Sequence, residues 1–319
     1  MDKILLNNGL SGLKKALIVQ FKLQNMPIEE IQVEPKYKAV EGVDRRTNLS
    51  QEEFLNVYVK NSRPVVLTDA AKDWKAMKKY TPAWFKEHYS HINKNINGVI
   101  YNLGDFIGMM LSSTPENPAP YPYNFDVRKV FPELMADFLP EVIYGKIDRI
   151  NHKLMPKQLL QGTTVYEIFL GGNGSSFPYL HFDALFMHTQ ITQIYGSKVF
   201  IMYPPEQTPS MYPFENNPKF SQVNFLDPDY EKHPLFKDAV PIEFTLQEGE
   251  TLLFPSGWWH TTKITEPCIS LGRAQLNGYN WDNFIMDRYV NWKKKISYAA
   301  LPVLAYGKVV GGIMNAQER

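Results

Sequence analysis

The stretch Tyr179–Leu180–His181–Phe182–Asp183, taken together with Trp258–Trp259–His260 far downstream, decides how this chain is read. An extended segment shows alternate residues to one face, so His181 and Asp183 point the same way and can share one metal ion. His260 supplies a third donor. Two imidazoles and a carboxylate on three corners of an octahedron leave three corners open, which suits a metal that must also hold small molecules.

Such remote residues can meet only if neighbouring strands carry them, and the surrounding sequence is β-rich. From Thr163 the chain alternates short apolar runs with turn residues: Thr163–Leu170, Gly171–Gly172–Asn173–Gly174, Tyr179–Asp183, Thr189–Tyr195, Gly196–Ser197 and Lys198–Tyr203. Ile242–Leu246, Thr251–Phe254, Trp258–Ile264 and Cys268–Leu276 follow, with a proline-rich, aromatic insert over 204–239. Many short, regularly punctuated strands predict a sandwich or barrel and not a βαβ fold. His188 stands at odd spacing from His181 and should face the other way. His88, His91, His152 and His233 lie outside this β region and read as structural or solvated. Trp258 and Trp259, adjacent on a strand, are expected to bury on opposite faces.

The lead-in mixes helix and strand. Leu6, Leu10, Leu13 and Leu17 recur at helical spacing, and Ile31–Gln32–Val33 reads as a short strand before a polar stretch. Ser50 stands three residues ahead of Glu53, the spacing of a capping box, and predicts a helix through Phe54, Val57 and Tyr58. Arg63–Pro64–Val65–Val66–Leu67 predicts a strand, and Thr81–Pro82 a helix start. Ser112–Tyr123 reads as a loop that either lines a binding site or merely connects. Beyond Trp281 the pattern is helical again. These changes divide the chain into an N-terminal helix and extension (1–48), an α+β lead-in (49–160), a β domain (161–281) and a C-terminal helical segment (282–319).

With 34 basic against 33 acidic residues, net charge argues for no nucleic-acid or anionic-membrane partner. The single cysteine, Cys268, excludes an internal disulfide and fits a reducing compartment. The first residues lack the apolar core and cleavage site of a signal peptide, and the apolar run 298–314 is broken by Pro302 and Lys308, short of the ~20 residues a span needs. A cytoplasmic protein is expected.

Leu180–His181–Phe182–Asp183, the run Gly196–Ser197–Lys198–Val199–Phe200–Ile201–Met202–Tyr203–Pro204–Pro205, and Gly249–Glu250–Thr251–Leu252–Leu253–Phe254–Pro255 with Trp258–Trp259–His260 resemble the JmjC, cupin-like 2-oxoglutarate oxygenases. Tyr212–Pro213, Ser221–Gln222–Val223–Asn224–Phe225 and Asp227–Pro228–Asp229–Tyr230–Glu231 are similar to the asparaginyl hydroxylase type that acts on hypoxia-inducible factor. With Arg63–Leu67 and Asp73–Trp74, the likeness covers roughly 50–281.

The resemblance implies a mainly β fold with flanking helices: a double-stranded β-helix, or jelly roll, with an α+β lead-in and a helical C-terminal segment. It implies Fe(II) on His181, Asp183 and His260, with 2-oxoglutarate and O2 as cosubstrates and Lys198 on the distal carboxylate of 2-oxoglutarate. Relatives carry a threonine three residues before the first histidine, where this chain has Pro178, so Ser176 or Tyr166 is expected to substitute. Thr189, Arg273 and Asn277 complete the expected cosubstrate-binding set, and Gln275 shares that region. The implied reaction is hydroxylation of a C–H bond of a protein or peptide side chain. N-methyl demethylation, a small-molecule substrate and a non-catalytic binding module are the alternatives, and the C-terminal helices offer a homodimer interface.

Overall fold

A computed structural model of the chain describes residues 42–141, 147–161, 163–295 and 297–318, all within one unit spanning Val40–Arg319. The helix expected around Leu6 to Leu17 and the strand expected at Ile31–Val33 lie outside the described residues. In chain order the strands are β1 (Asp44–Arg46), β2 (Val65–Leu67), β3 (Asn93–Ile96), β4 (Val99–Asn102), β5 (Tyr123–Asp126), β6 (Tyr166–Gly171), β7 (His188–Tyr195), β8 (Lys198–Tyr203), β9 (Ile242–Leu246), β10 (Thr251–Phe254), β11 (Trp259–Lys263) and β12 (Cys268–Gln275). Most of the β-branched and aromatic runs of the sequence form strands close to their expected bounds, although the run expected from Thr163 begins its strand only at Tyr166 and Tyr179–Asp183 forms no regular strand.

Seven strands make one sheet in the order β1-β2-β10-β7-β12-β6-β5, and β11-β8-β9 make a second. Apart from the parallel pair β1/β2, every pairing is antiparallel. This is the cupin-like, mostly β arrangement with flanking helices, consistent with a jelly roll.

Strand alternation assigns the faces. On β6, Tyr166, Ile168 and Leu170 point outward into a large apolar core with Phe85, Phe106 and Phe284. Glu167 and Phe169 point the other way, toward the second sheet. On β12, Ile269 and Leu271 join the outer core, whereas Ser270, Gly272 and Ala274 face inward. Part of the interior is filled by Val66, Met202, Phe244, Leu252, Phe254 and Trp258. The remainder is a cavity of about 260 Å³.

Helices close the outer face of the large sheet. Thr81 caps α1 (Pro82–Tyr89) by accepting from the N–H of Trp84 at 3.2 Å, with Pro82 in its first turn as the sequence predicts. Asn102 caps α2 (Leu103–Leu111) in the same way. Ser50 Oγ accepts from the N–H of Glu53 at 3.1 Å, although Glu53 turns its carboxylate to Arg46 and leaves the capping box half made. At the C-terminal end, α3 (Trp281–Lys295) packs on α4 (Ser297–Glu318). A Cβ on Gly307 or Gly311 would meet Ile285 or Trp281 within 2.5 Å, so glycine at both positions permits the close crossing.

Candidate metal centre and cavity

The segment that carries His181 is held on both edges. His260 N–H donates to His181 O at 2.7 Å and His181 N–H to His260 O at 3.1 Å, which places the two remote histidines side by side. On the other edge, Phe182 N–H donates to Lys219 O and Ser221 N–H to Leu180 O, so the 204–239 insert clamps the segment. The pairing is confined to isolated bridges and does not extend into the regular strand expected over Tyr179–Asp183. Leu185 and Phe186 adopt left-handed backbone conformations, and the chain turns away just after Asp183.

The donor atoms of His181, Asp183 and His260 all lie within 4.8 Å of one another. Asp183 Oδ1 is 3.9 Å from His181 Nε2 and 4.0 Å from His260 Nε2. In each imidazole Nδ1 lies against the carbonyl two residues before it, Tyr179 O at 3.2 Å and Trp258 O at 3.0 Å. Those carbonyls favour the Nδ1–H tautomer, which leaves both Nε2 lone pairs for a metal. Thr189 Oγ1 donates to Asp183 Oδ2 and frees Oδ1 toward the histidines. Burial, followed by the neighbouring His260, pushes His181 down to about 4 and so favours the neutral, ligating form. The His181 ring lies parallel to Phe177 at 4.4 Å, which restricts its rotation. The Asp183 side chain is 34% exposed against 12% and 9% for the imidazoles, so the site opens on the carboxylate side. The donor set therefore fits a divalent cation that keeps exchangeable positions.

Lys198 lies deeper, 2% exposed. Its Nζ donates to Ser270 Oγ at 2.7 Å and to Tyr121 Oη at 3.2 Å, and the rings of Tyr121 and Phe169 flank it. Burial works against the ammonium, while Tyr121 and Cys268 hold its pKa above the ordinary lysine value. The hydrogen-bond partners are neutral hydroxyls, and among the described residues Lys198 makes no ion pair within 4.0 Å. A buried cation with only neutral partners is a ready seat for an anion.

The cavity lining brings together His181, Asp183, His260, Lys198 and Thr189. Arg273 borders it, but alternation turns its guanidinium to the outer face, 3.1 Å from Glu141 and 3.6 Å from Asp148 and over the Tyr166 ring. Tyr166, opposite Arg273 in the β6/β12 register, shares that outer face and donates to Glu141 Oε1 at 2.6 Å. Ser176 forms a bridge with Lys263, and Asn277 Oδ1 accepts from the N–H of Tyr279 at 2.8 Å and lies 3.2 Å from His188 Nε2. Neither Ser176 nor Asn277 lines the cavity, so Tyr166, Ser176 and Asn277 are the three expected positions that the structure does not bring to it. Gln275 faces Gln190 away from the cavity, with its amide 2.6 Å from Gln190 Oε1. Trp258 and Trp259 each fill a separate core cluster, as expected.

Tyr121, Ser270 and Glu167 line the cavity without having been singled out in the sequence. Only Tyr121 left a signal, through the loop over Ser112–Tyr123.

A family model described as a cupin-like domain matches residues 50–284. The lysine-specific demethylase JMJ21 of Arabidopsis thaliana is 26% identical over 258 residues, 77% of this chain and 26% of that protein. JmjC domain-containing protein D of Dictyostelium discoideum is 26% identical over 270 residues, 74% of this chain and 56% of that protein. JmjC domain-containing protein 8 of Rattus norvegicus is 36% identical over 112 residues, 35% of this chain and 38% of that protein. The chain thus spans only part of the length of each relative.

His188 offers a check on burial beside the site. It is enclosed, its Nδ1 accepts from the N–H of Ser256 at 3.0 Å, and burial pushes it down to about 4. Between about pH 6.5 and 4 the unfolded chain binds a proton that the folded protein does not, so stability rises with pH across that window and is lost as pH falls through it. Urea titrations of the metal-free protein from pH 7 to 4 should lose on the order of 3 kcal/mol from this residue. In His188→Gln that part of the slope should vanish, and an unaltered slope would refute the assignment.

Proposed function

The chain belongs to the cupin-like domain family, and from that premise we propose that it is an Fe(II)- and 2-oxoglutarate-dependent dioxygenase. In this reading it hydroxylates a C–H bond of a protein or peptide side chain and releases succinate and CO2. The observation that carries it is the placement of two Nε2 atoms and one carboxylate oxygen in the same cavity as a buried lysine with neutral partners.

His181, Asp183 and His260 would hold the iron, with Thr189 fixing the carboxylate rotamer. Lys198 would bind the distal carboxylate of 2-oxoglutarate, assisted by the hydroxyls of Tyr121 and Ser270. Iron and cosubstrate, when bound, supply the O2 activation that a polypeptide cannot. The chain's own contribution is positional. Phe169, Phe177 and Ile191 line the cavity with apolar surface and limit water, and the open side at Asp183 leaves the approach for a substrate side chain.

Hydroxylation and N-methyl demethylation share this chemistry and differ in which carbon is presented. The similarity of the 204–239 insert to asparaginyl hydroxylases favours side-chain hydroxylation, whereas the demethylase named among the relatives supports the second outcome. Among the described residues no helix is long and apolar enough to cross a membrane, and the one cysteine is buried and free. The proposal includes a cytoplasmic setting, in keeping with the single free cysteine.

Anaerobic reconstitution with Fe(II) and 2-oxoglutarate, followed by exposure to air, should yield succinate. Lys198→Met should raise the 2-oxoglutarate concentration for half-maximal turnover by about tenfold or more. An unchanged requirement would remove Lys198 from this role.

The same proposal includes a homodimer through α4, whose Leu301, Val309 and Ile313 are exposed and fall on one helical face. Light scattering should find two chains per particle and one for Leu301→Asp/Val309→Asp. A wild-type monomer would contradict it.

A further inference from the structure

A second cavity, of about 480 Å³, opens where the lead-in meets the turn after β12 and the end of α4, and it shares no lining residue with the cavity of His181, Asp183 and His260. The helical turn Gln51–Glu53, continued by Phe54–Val59, contributes Gln51, Glu52 and Asn56. Tyr279 comes from the turn and Glu318 from the last residues of α4. Leu55 is the one aliphatic side chain in the lining.

The polar groups are held in place. Arg149, fully buried, donates from Nε and Nη2 to the two oxygens of Glu318 at 2.8 and 2.7 Å, and from Nη2 to Asn315 Oδ1 at 2.6 Å. Its Nη1 has no partner among the described residues. A Cβ on Gly278, itself a lining residue, would lie 2.9 Å from Glu318 Oε2 and 3.1 Å from Arg149 Nη2, so glycine there leaves this ion pair uncovered. The turn that carries Tyr279 is pinned as well: Asn277 Oδ1 accepts from the N–H of Tyr279 at 2.8 Å, and the N–H of Asn277 donates to Asn280 Oδ1 at 2.8 Å, with Asn280 fully buried. Tyr279 is nevertheless 50% exposed, so a rigid turn presents a large ring to solvent beside a polar cavity.

The lining selects among ligand classes. Arg149 already matches the charge of Glu318, so a cation gains little there, and the carboxylates of Glu52 and Glu318 repel an anion. An apolar ligand would strip water from amides and carboxylates without replacing the hydrogen bonds. A neutral ligand rich in hydroxyls suits the lining, because each hydroxyl both donates and accepts. A pyranose adds faces of C–H groups that pack on an aromatic ring, and the volume holds roughly one or two such sugar rings.

We propose that this second cavity binds a neutral saccharide, with Tyr279 against the sugar ring and Glu52, Asn56 and Glu318 on its hydroxyls. The site is separate from His181, Asp183 and His260, and the proposal does not depend on the dioxygenase reading. The pinned turn and the Arg149–Glu318 pair set the ring and a carboxylate before the ligand arrives, which lowers the cost of binding.

Titration calorimetry on the full chain tests it, with the methyl glycosides of glucose, galactose and mannose and with cellobiose as probes, beside glucuronate and spermidine. At least one neutral sugar should bind at a single site, with glucuronate and spermidine about tenfold or more weaker. Tyr279→Ala should weaken the sugar by about tenfold, whereas Tyr279→Phe should retain it, both at an unchanged melting temperature because the ring is half exposed. Asn56→Ala, on the other element, should weaken it independently. Failure of every neutral sugar to bind, tighter binding of glucuronate or spermidine, or an affinity that survives both Tyr279→Ala and Asn56→Ala would overturn the proposal.

Discussion

The reciprocal backbone pair between His181 and His260 is the constraint on which the rest of the site depends. Two residues remote in sequence become neighbours through two hydrogen bonds, and the backbone geometry also sets where their imidazoles project. Such a pair gains little by itself in water. It holds because β11 is already registered on β8 over five residues, and because the insert pins the opposite edge of the His181 segment through Lys219 and Ser221. The insert is thus part of the scaffold of the His181–Asp183–His260 cluster although none of its residues lines the cavity. Its own anchorage comes from Met211, Val223 and Phe236, which pack with Trp259 and Leu180 on the outer face of the small sheet.

A second constraint follows from having both faces of the large sheet covered. In a half-exposed sheet a glutamate between Tyr166 and Ile168 would face water. Here helices and the lead-in cover the outer face, so the polar row of β6 can only face the interior. Polar residues on inward rows then mark the cavity, as Glu167, Thr189, Lys198 and Ser270 do. Each is charged or hydroxylated, each is set on a rigid strand, and none is free to move far when a ligand enters.

This explains what the sequence could and could not reveal. The strand bounds were readable because β-branched and aromatic runs stop at glycine and polar turns, and Lys198–Tyr203 and Thr251–Phe254 coincide with their expected limits. His181, Asp183 and His260 were readable as a group because alternation puts the first two on one side and the β region gives the third a route to them. Tyr166 lies on the outer face and Glu167 on the cavity face, a choice that the sequence alone leaves open. Period two gives two faces without saying which is which, and only the pairing with Arg273 and Gly272 settles the phase. Tyr121 reaches Lys198 across a contact of 77 residues from a loop with no periodicity, so its role was legible only as a region. The helix expected around Leu6 to Leu17 and the strand expected at Ile31–Val33 lie outside the described residues.

The central claim is that His181, Asp183 and His260 form one metal site. Titration of the metal-free protein with Co(II), followed by its visible absorption, tests it most directly, since the spectrum reports both stoichiometry and ligand type. One ion per chain is expected, with binding weakened severely in Asp183→Ala and in His260→Ala while the fold, followed by circular dichroism, persists. Unchanged stoichiometry, affinity and spectrum in both folded variants would contradict the account.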